Sequence, residues 1–245
     1  MSVLQSVVHQ PTPAPPKGIV YGAAGVGKTT FVTFPKNHLL LDCENGAGTI
    51  PCQRTPYLET WPDIEQWLVA LEKEAHPYTV VAVDTIDWLV RRLEEHVTGR
   101  QLHQTLNKAH GGYGNGKGVM RNYIYQILLP HFNRIVNRGV ALVLLAHARR
   151  TAITDTDGVT VEKTTPDLPD EYLGTFIEWA DFVCMAQVDT DGSRTLVTGS
   201  GPSGRALVKN RYNMPPLIDF TWPAFTKAVS DGLAAKFQPA AKEEK

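Results

Sequence analysis

Short apolar runs alternate with amphipathic stretches along most of this 245-residue chain. "GIVY" reads as a strand, and "KTTFVTF" opens a helix after it. "HLLLDCE" and the β-branched run "YTVVAVDT" read as further buried strands, with "TWPDIEQWLVALEKEA" between them. In that segment Ile64, Trp67, Leu68 and Leu71 share one helical face, and Thr60 with Asp63 forms a capping pair at its start. A helical pattern then runs from Ile86 to about Asn107. "HGGYGNGKG" interrupts it with five glycines in nine residues, and a second helix follows from about Val119 to Asn137, bent at Pro130. "GVALVLLAH" is again a buried strand. Strands that are apolar throughout, alternating with helices, predict an α/β fold with a parallel sheet covered on both faces.

After Asp181 the pattern changes. "FVCMAQVDTDGSRTLVTG" reads as a hairpin turning at Asp191-Gly192, which adds antiparallel strands to one side of the sheet. The stretch "ARRTAITDTDGVTVEKTTPDLPDE" reads as another hairpin, turning at Asp157-Gly158. Thr221 to Phe237 is a closing helix with Phe225, Val229 and Leu233 in line. The expected organisation is a proline-rich tail over residues 1–16, one core over 17–225, and a C-terminal helix with a charged tail over 226–245.

At 42% hydrophobic and 20% charged residues, the chain has enough apolar material for a core without staples. Cys43, Cys52 and Cys184 lack metal-ligand spacing and read as reduced thiols of a cytoplasmic protein. No apolar run approaches the length of a membrane-spanning helix, and no signal-peptide pattern opens the chain. No membrane partner is expected. The net charge of -1 conceals a strong asymmetry. From His96 to Thr154 there is no Asp or Glu, while eight lysines and arginines occur. A cationic middle of this kind suits a phosphate backbone.

The most informative segment is "YGAAGVGKTT". Gly22, Gly27, Lys28 and Thr29 satisfy G-x-x-x-x-G-K-[ST], directly after a strand and before a helix. The run Gly22, Ala23, Ala24, Gly25, Val26, Gly27, Lys28, Thr29 and Thr30 is the expected cradle for the phosphates of ATP. Lys28 supplies a point charge for the outer phosphates and Thr29 a hydroxyl for Mg²⁺. Asp84, at the end of "TVVAVDT", is the expected second metal residue, acting through water. It also stands where a helix cap would, and the two roles are compatible. Asp87, three residues on, reads as a capping residue.

"LLLDCENG" ends a strand in Asp42-Cys43-Glu44, between the phosphate loop and Asp84. This arrangement resembles the RecA-like P-loop ATPases, and the resemblance implies that Glu44 activates the attacking water. It also implies that His147, ending "VLLAH", stands where those proteins carry a γ-phosphate sensor, most often a glutamine. A histidine departs from that type and would make the response depend on pH. "LVKNRYNMPP" carries Lys209-x-Arg211, which resembles the pair that RecA-like hexameric helicases extend into the adjacent subunit's nucleotide. The resemblance then implies a homo-oligomer, ring or filament, with each active site between two copies. The other reading of the pair is a charged guard on an edge strand.

In the RecA-like layout the first DNA loop falls at "HGGYGNGKG". Tyr113 could stack on a base there, with Lys117 and Arg121 as cations beside it. The second loop opens with Arg149 and Arg150 but then carries six acidic residues, so only its base suits DNA. Together with "VVAVDTIDWL" and "TTPDLPDEYLGTFIEWADFV", these segments resemble the compact phage RecA-like ATPases classed with single-strand annealing and recombination proteins, over about residues 17 to 220. The resemblance implies single-stranded DNA binding, strand annealing aided by a single-strand-binding protein, and action in the cytoplasm of a phage host. Two other readings stay open: a small ATP-driven helicase or helicase loader, and a nucleotide-switched scaffold with little turnover.

Overall fold

The computed structural model describes residues 14–100, 104–154, 158, 160–199 and 204–237. Residues 1–13 of the expected tail, the turn residue Asp157 and the solvated end "AAKEEK" lie outside the described residues.

In chain order the elements are β1 (Lys17–Gly22), α1 (Lys28–Thr33), β2 (His38–Asp42), α2 (Trp61–Lys73), β3 (Val80–Asp84), α3 (Ile86–Val97), α4 (Asn115–Tyr123), a π-helical segment (Ile124–Leu128), α5 (Leu129–Asn137), β4 (Ala141–Thr154), β5 (Thr160–Pro166), α6 (Asp170–Trp179), β6 (Phe182–Val188), β7 (Arg194–Val197), β8 (Lys209–Asn210), β9 (Leu217–Asp219) and α7 (Trp222–Phe237). The sheet order is β2-β3-β4-β1-β6-β7-β9, with β5 paired to β4 and β8 to β6. The first five of these strands run parallel, and β7 and β9 add antiparallel pairing beyond β6. This is the mostly parallel α/β sheet with an added antiparallel hairpin that the P-loop reading predicts.

Alternation along each parallel strand builds two cores, because successive side chains leave a strand on opposite faces. Ile19, Tyr21, Leu41, Val83 and Leu144 join one layer with α2, α3, α4, α5 and α6. Val20, Leu40, Ala82, Val143 and Leu145 join the other with α1 and α7. In the second layer Phe31 of α1 stacks on Phe220 at 4.8 Å and meets Phe225 of α7 edge-on. Full burial of a side chain such as Phe225 contributes about 1.5–3 kcal/mol. The division expected after residue 225 therefore falls inside α7, which belongs to the core.

Local chemistry sets several boundaries. The Thr60 hydroxyl accepts from the Asp63 N–H and the Asp63 carboxylate from the Thr60 N–H, so α2 starts with the expected capping box. The helix expected to run to Asn107 stops at Val97 instead. Thr98 Oγ1 bonds back to the Glu94 carbonyl, and Gly99 and Arg100 turn left-handed at φ 70° and 55°. The glycine-rich segment is also divided. His110, Gly111, Gly112, Tyr113 and Gly114 are five consecutive residues at positive φ, and α4 starts directly after them. Lys117, expected on a loop, is therefore helical. Position 116 of this helix is a glycine because a Cβ there would lie 2.4 Å from the Leu106 carbonyl oxygen. The bend expected at Pro130 is a π-helical segment that ends just before it. β4 runs seven residues past His147, because Ala148 to Thr154 pair with β5 in a hairpin.

Register aligns the functional ends. Gly22 pairs with His147, and Asp42 with Asp84. The phosphate loop, the two acidic strand ends and His147 thus meet at one edge of the sheet, beyond the carboxyl ends of the parallel strands.

Candidate functional site

The loop from Gly22 to Lys28 crosses the end of β1. Gly25 and Gly27 have φ of 76° and 104°, in the region that favours glycine. Phe31 and Val32 bury the inner face of α1, so the loop is fixed from behind. Lys28 is buried, and its Nζ donates to the Gly22 and Ala23 carbonyls at 3.0 Å each. Burial pulls its pKa down, opposed by the charges of Asp84, Glu44 and Asp87.

Thr29 Oγ1 donates to Asp84 Oδ2 at 2.9 Å. Burial pushes the Asp84 carboxyl up to about 6; the Thr29 bond opposes the rise, and Glu44 and Asp42 add to it. The pair offers hard oxygen donors in a place where a carboxylate lacks a full counter-charge. Among the described residues no cluster of three or more His, Cys, Asp or Glu side chains forms a metal cage. Mg²⁺ needs none, because it is held by one or two carboxylates plus phosphate oxygens and water. The Thr29–Asp84 pair fits Mg²⁺ arriving with a triphosphate.

The raised Asp84 pKa gives a stability prediction for protein free of metal and nucleotide. An acid whose folded pKa lies above its unfolded value disfavours folding once it ionises. The penalty is absent below about pH 4, grows toward pH 6 and is complete above it. Asp84→Asn should therefore stabilise the protein in chelator at about pH 7.5 by up to about 3 kcal/mol, and change little at about pH 4. Urea melts at the two pH values check this. A variant less stable than wild type at the higher pH contradicts it.

Glu44 is fixed by the end of β2. The N–H groups of Cys43 and Glu44 donate to the Asp84 carbonyl at 2.8 and 3.1 Å. Asp42 is buried, accepting from the Asn45 N–H at 2.7 Å and from Arg54 Nη1 at 2.9 Å. The first acid of the Asp-x-Glu run is thus an anchor, and the second faces the cleft.

His147 lies between two carboxylates. Its Nδ1 is 2.8 Å from Asp87 Oδ2, and its Nε2 is 3.5 Å from Glu44 Oε1. The His147 backbone N–H also donates to Asp87 Oδ1 at 3.3 Å. This corrects the capping role expected for Asp87. Thr85 is the N-cap of α3 with no side-chain cap bond, and Asp87 holds His147 from across the sheet. The Asp87 carboxylate on Nδ1 orients the ring so that Nε2 points toward Glu44 and the cleft.

Lys28, Thr29, Thr30, Glu44, Asp84 and His147 line one cleft of about 360 Å³, together with Ala24, Gly25 and Gly27. Arg194, from the start of β7, lines it as well, and no sequence pattern marked that residue.

The remaining expected site residues lie elsewhere. Lys209 Nζ donates to the Ile177 and Glu178 carbonyls at 2.7 and 3.0 Å, at the end of α6. Arg211 Nη1 is 3.0 Å from Asp181 Oδ1, and its side chain is 59% exposed. Tyr113 is fully exposed on its left-handed turn. Lys117 pairs with Glu171, and Arg149 with Asp170. Arg121 and Arg150 are exposed. Tyr125, which sequence reasoning passed over, is half exposed, and its hydroxyl is 2.8 Å from Thr175 Oγ1. Lys117, Arg121 and Tyr125 recur every fourth residue, and Glu171 and Thr175 of α6 meet the first and last of them.

Residues 14–212 match the family model of an AAA domain. No curated protein matches the chain. No helix among the described residues is long and apolar enough to cross a membrane.

Proposed function

Because the chain belongs to the AAA-domain family, a family of P-loop ATPases, we propose that it is an oligomeric DNA recombination ATPase. In this reading it hydrolyses Mg·ATP in the cleft at the end of β1 and grips single-stranded DNA along α4. The observation that carries the ATPase part of the reading is the convergence of Lys28, Glu44 and the hydrogen-bonded Thr29–Asp84 pair on one cleft.

In the proposed reaction Lys28 exchanges its two carbonyl partners for the outer phosphates. Thr29 and Asp84 would hold magnesium, which would supply charge neutralisation on the phosphate oxygens. Glu44 takes a proton from water as the water oxygen bonds to the γ-phosphorus and the bond to the bridging oxygen of ADP breaks. His147, oriented by Asp87, presents Nε2 beside Glu44 and reports the terminal phosphate, the task a glutamine performs in the resembled proteins. Arg211 reaches from the neighbouring copy.

For DNA, Tyr113 and Tyr125 flank Lys117 and Arg121, which puts a stacking platform at each end of a pair of cations. Arg149, paired with Asp170 next to the Glu171 partner of Lys117, extends the tract from β4, and Arg150 leaves the opposite face of that strand. Lys117 and Arg149 would exchange Glu171 and Asp170 for backbone phosphates, and exposed ion pairs cost little to break. A single-strand-binding protein is the proposed partner in annealing.

ATPase rates with and without oligonucleotide, with binding of labelled single strands across a salt series, test this. The rate rises with DNA. Tyr113→Ala weakens binding about tenfold or more, the loss of one stacked base. Arg121→Ala lowers the salt slope by about 0.7. Equal rates with and without DNA, together with no binding at low salt, would remove the DNA role. Displacement of a strand from a forked duplex would favour the helicase reading.

A further inference from the structure

Arg194 is fixed by the sheet on two sides. It opens β7 opposite Val188 of β6, and its carbonyl accepts from the Phe220 N–H at 3.0 Å. Its guanidinium lies over the phosphate loop: a Cβ added to Gly27 would meet Arg194 Nη1 at 3.0 Å and Cζ at 3.7 Å. Gly27 therefore lacks a side chain for two reasons, its φ of 104° and this close approach.

The acids nearest in sequence have other partners. Asp189 accepts from Gln187 and Thr195, and Asp191 accepts from the Ser193 N–H and hydroxyl. Among the described residues no carboxylate lies within 4.0 Å of the Arg194 guanidinium, although Glu44 and Asp84 line the same cleft. Arg54, Arg92, Arg100, Arg134, Arg149 and Arg211 each have such a partner. An unpaired planar cation beside Lys28, over a loop shaped for phosphate, matches a polyphosphate chain, which guanidinium groups bind in bidentate fashion.

We infer that Arg194 is a nucleotide-binding residue that contacts the phosphate chain from within the same subunit and ties the β6–β7 hairpin to the occupied loop. The inference rests on the nucleotide reading of the cleft. It also separates two arginines by role: Arg194 serves its own copy's nucleotide, and Arg211 is available to a neighbour's.

The test is equilibrium binding of a fluorescent ADP analogue with Mg²⁺ to full-length wild type, Arg194→Ala and Arg194→Lys, with thermal melts alongside. Arg194→Ala binds about 10–100-fold more weakly, the range for a charge-assisted contact, and Arg194→Lys recovers part of the loss. Without nucleotide the three proteins melt together, because among the described residues the guanidinium has no ion-pair partner to lose. Added nucleotide raises the wild-type melting temperature more than that of Arg194→Ala. Magnesium tripolyphosphate, which has no base, competes less well on Arg194→Ala than on wild type. Equal analogue affinity in wild type and Arg194→Ala overturns the assignment. Equal competition by tripolyphosphate also overturns it, because it places the contact on the base or sugar. Wild type that binds no analogue overturns the nucleotide reading itself, and this assignment with it.

Discussion

Glu44→Gln lowers ATP turnover by about 10²–10⁴-fold, the usual contribution of a positioned base, and leaves Mg·ATP binding close to wild type. Both halves follow from the geometry. The Glu44 backbone is held by the Asp84 carbonyl at 3.1 Å, so the new side chain starts from the same place. Glutamine has the same length and keeps one oxygen toward His147, but it cannot take a proton from water. Lys28, Thr29 and Asp84, which hold the phosphates and metal in this account, are unchanged. Steady-state phosphate release measures the first half and equilibrium binding the second. Turnover equal to wild type would leave the scaffold reading standing, because a scaffold does not depend on this base.

The second large effect is in the neighbour's site. Arg211→Ala lowers turnover by about 10³-fold or more if Arg211 stabilises charge on the transferring phosphoryl group of an adjacent copy. Among the described residues its one ion pair is to Asp181, with the arginine side chain 59% and the aspartate 20% exposed; a pair open to solvent on the arginine side contributes about 1 kcal/mol, so the side chain can leave it. Lys209 differs from it. Its ammonium caps the carbonyls at the end of α6, so the helix terminus would lose two acceptor contacts if it moved. The K-x-R pair thus divides into one structural cation and one available cation. Mixing separates a shared site from a loss within one chain. Glu44→Gln and Arg211→Ala, each inactive alone, regain turnover together, because an Arg211→Ala copy supplies Glu44 and its Glu44→Gln neighbour supplies Arg211. No recovery on mixing would place each site within one chain.

Much of this site was legible in the sequence because its signals are local. Four apolar strand runs, the glycine spacing before Lys28, and an acid at the end of each of two strands are patterns within a few residues. The Thr60–Asp63 capping box and the hairpin turn at Asp191-Gly192 are equally local, and the structure forms both. What the sequence hid depends on contacts between distant segments. Asp87 resembles a helix-capping acid until the sheet brings β4 beside β3 and sets His147 within 2.8 Å of it. Arg194 belongs to an ordinary hairpin until β6 pairs with β1 and carries it over Gly27. Composition counts Lys117 and Arg149 as free cations, yet the first turn of α6 supplies Glu171 and Asp170 to pair with them. The end of α3 is the exception: Gly99 was a readable stop, overridden by the apolar period that continues past it. The start of α4 was not readable, because glycines at 116 and 118 signal a loop locally, while the reason for glycine at 116, the Leu106 carbonyl 2.4 Å from where a Cβ would lie, is a contact between segments.

The central claim is that the cleft lined by Lys28, Thr29, Glu44 and Asp84 is a Mg·ATP site where Glu44 acts after binding. The most direct measurement is the nucleotide that Glu44→Gln retains after incubation with ATP and Mg²⁺ and rapid gel filtration. The account predicts intact ATP, stoichiometric with chain, and none retained when EDTA replaces magnesium. Glu44→Gln that emerges without nucleotide, or that carries ADP formed at the wild-type rate, would contradict it.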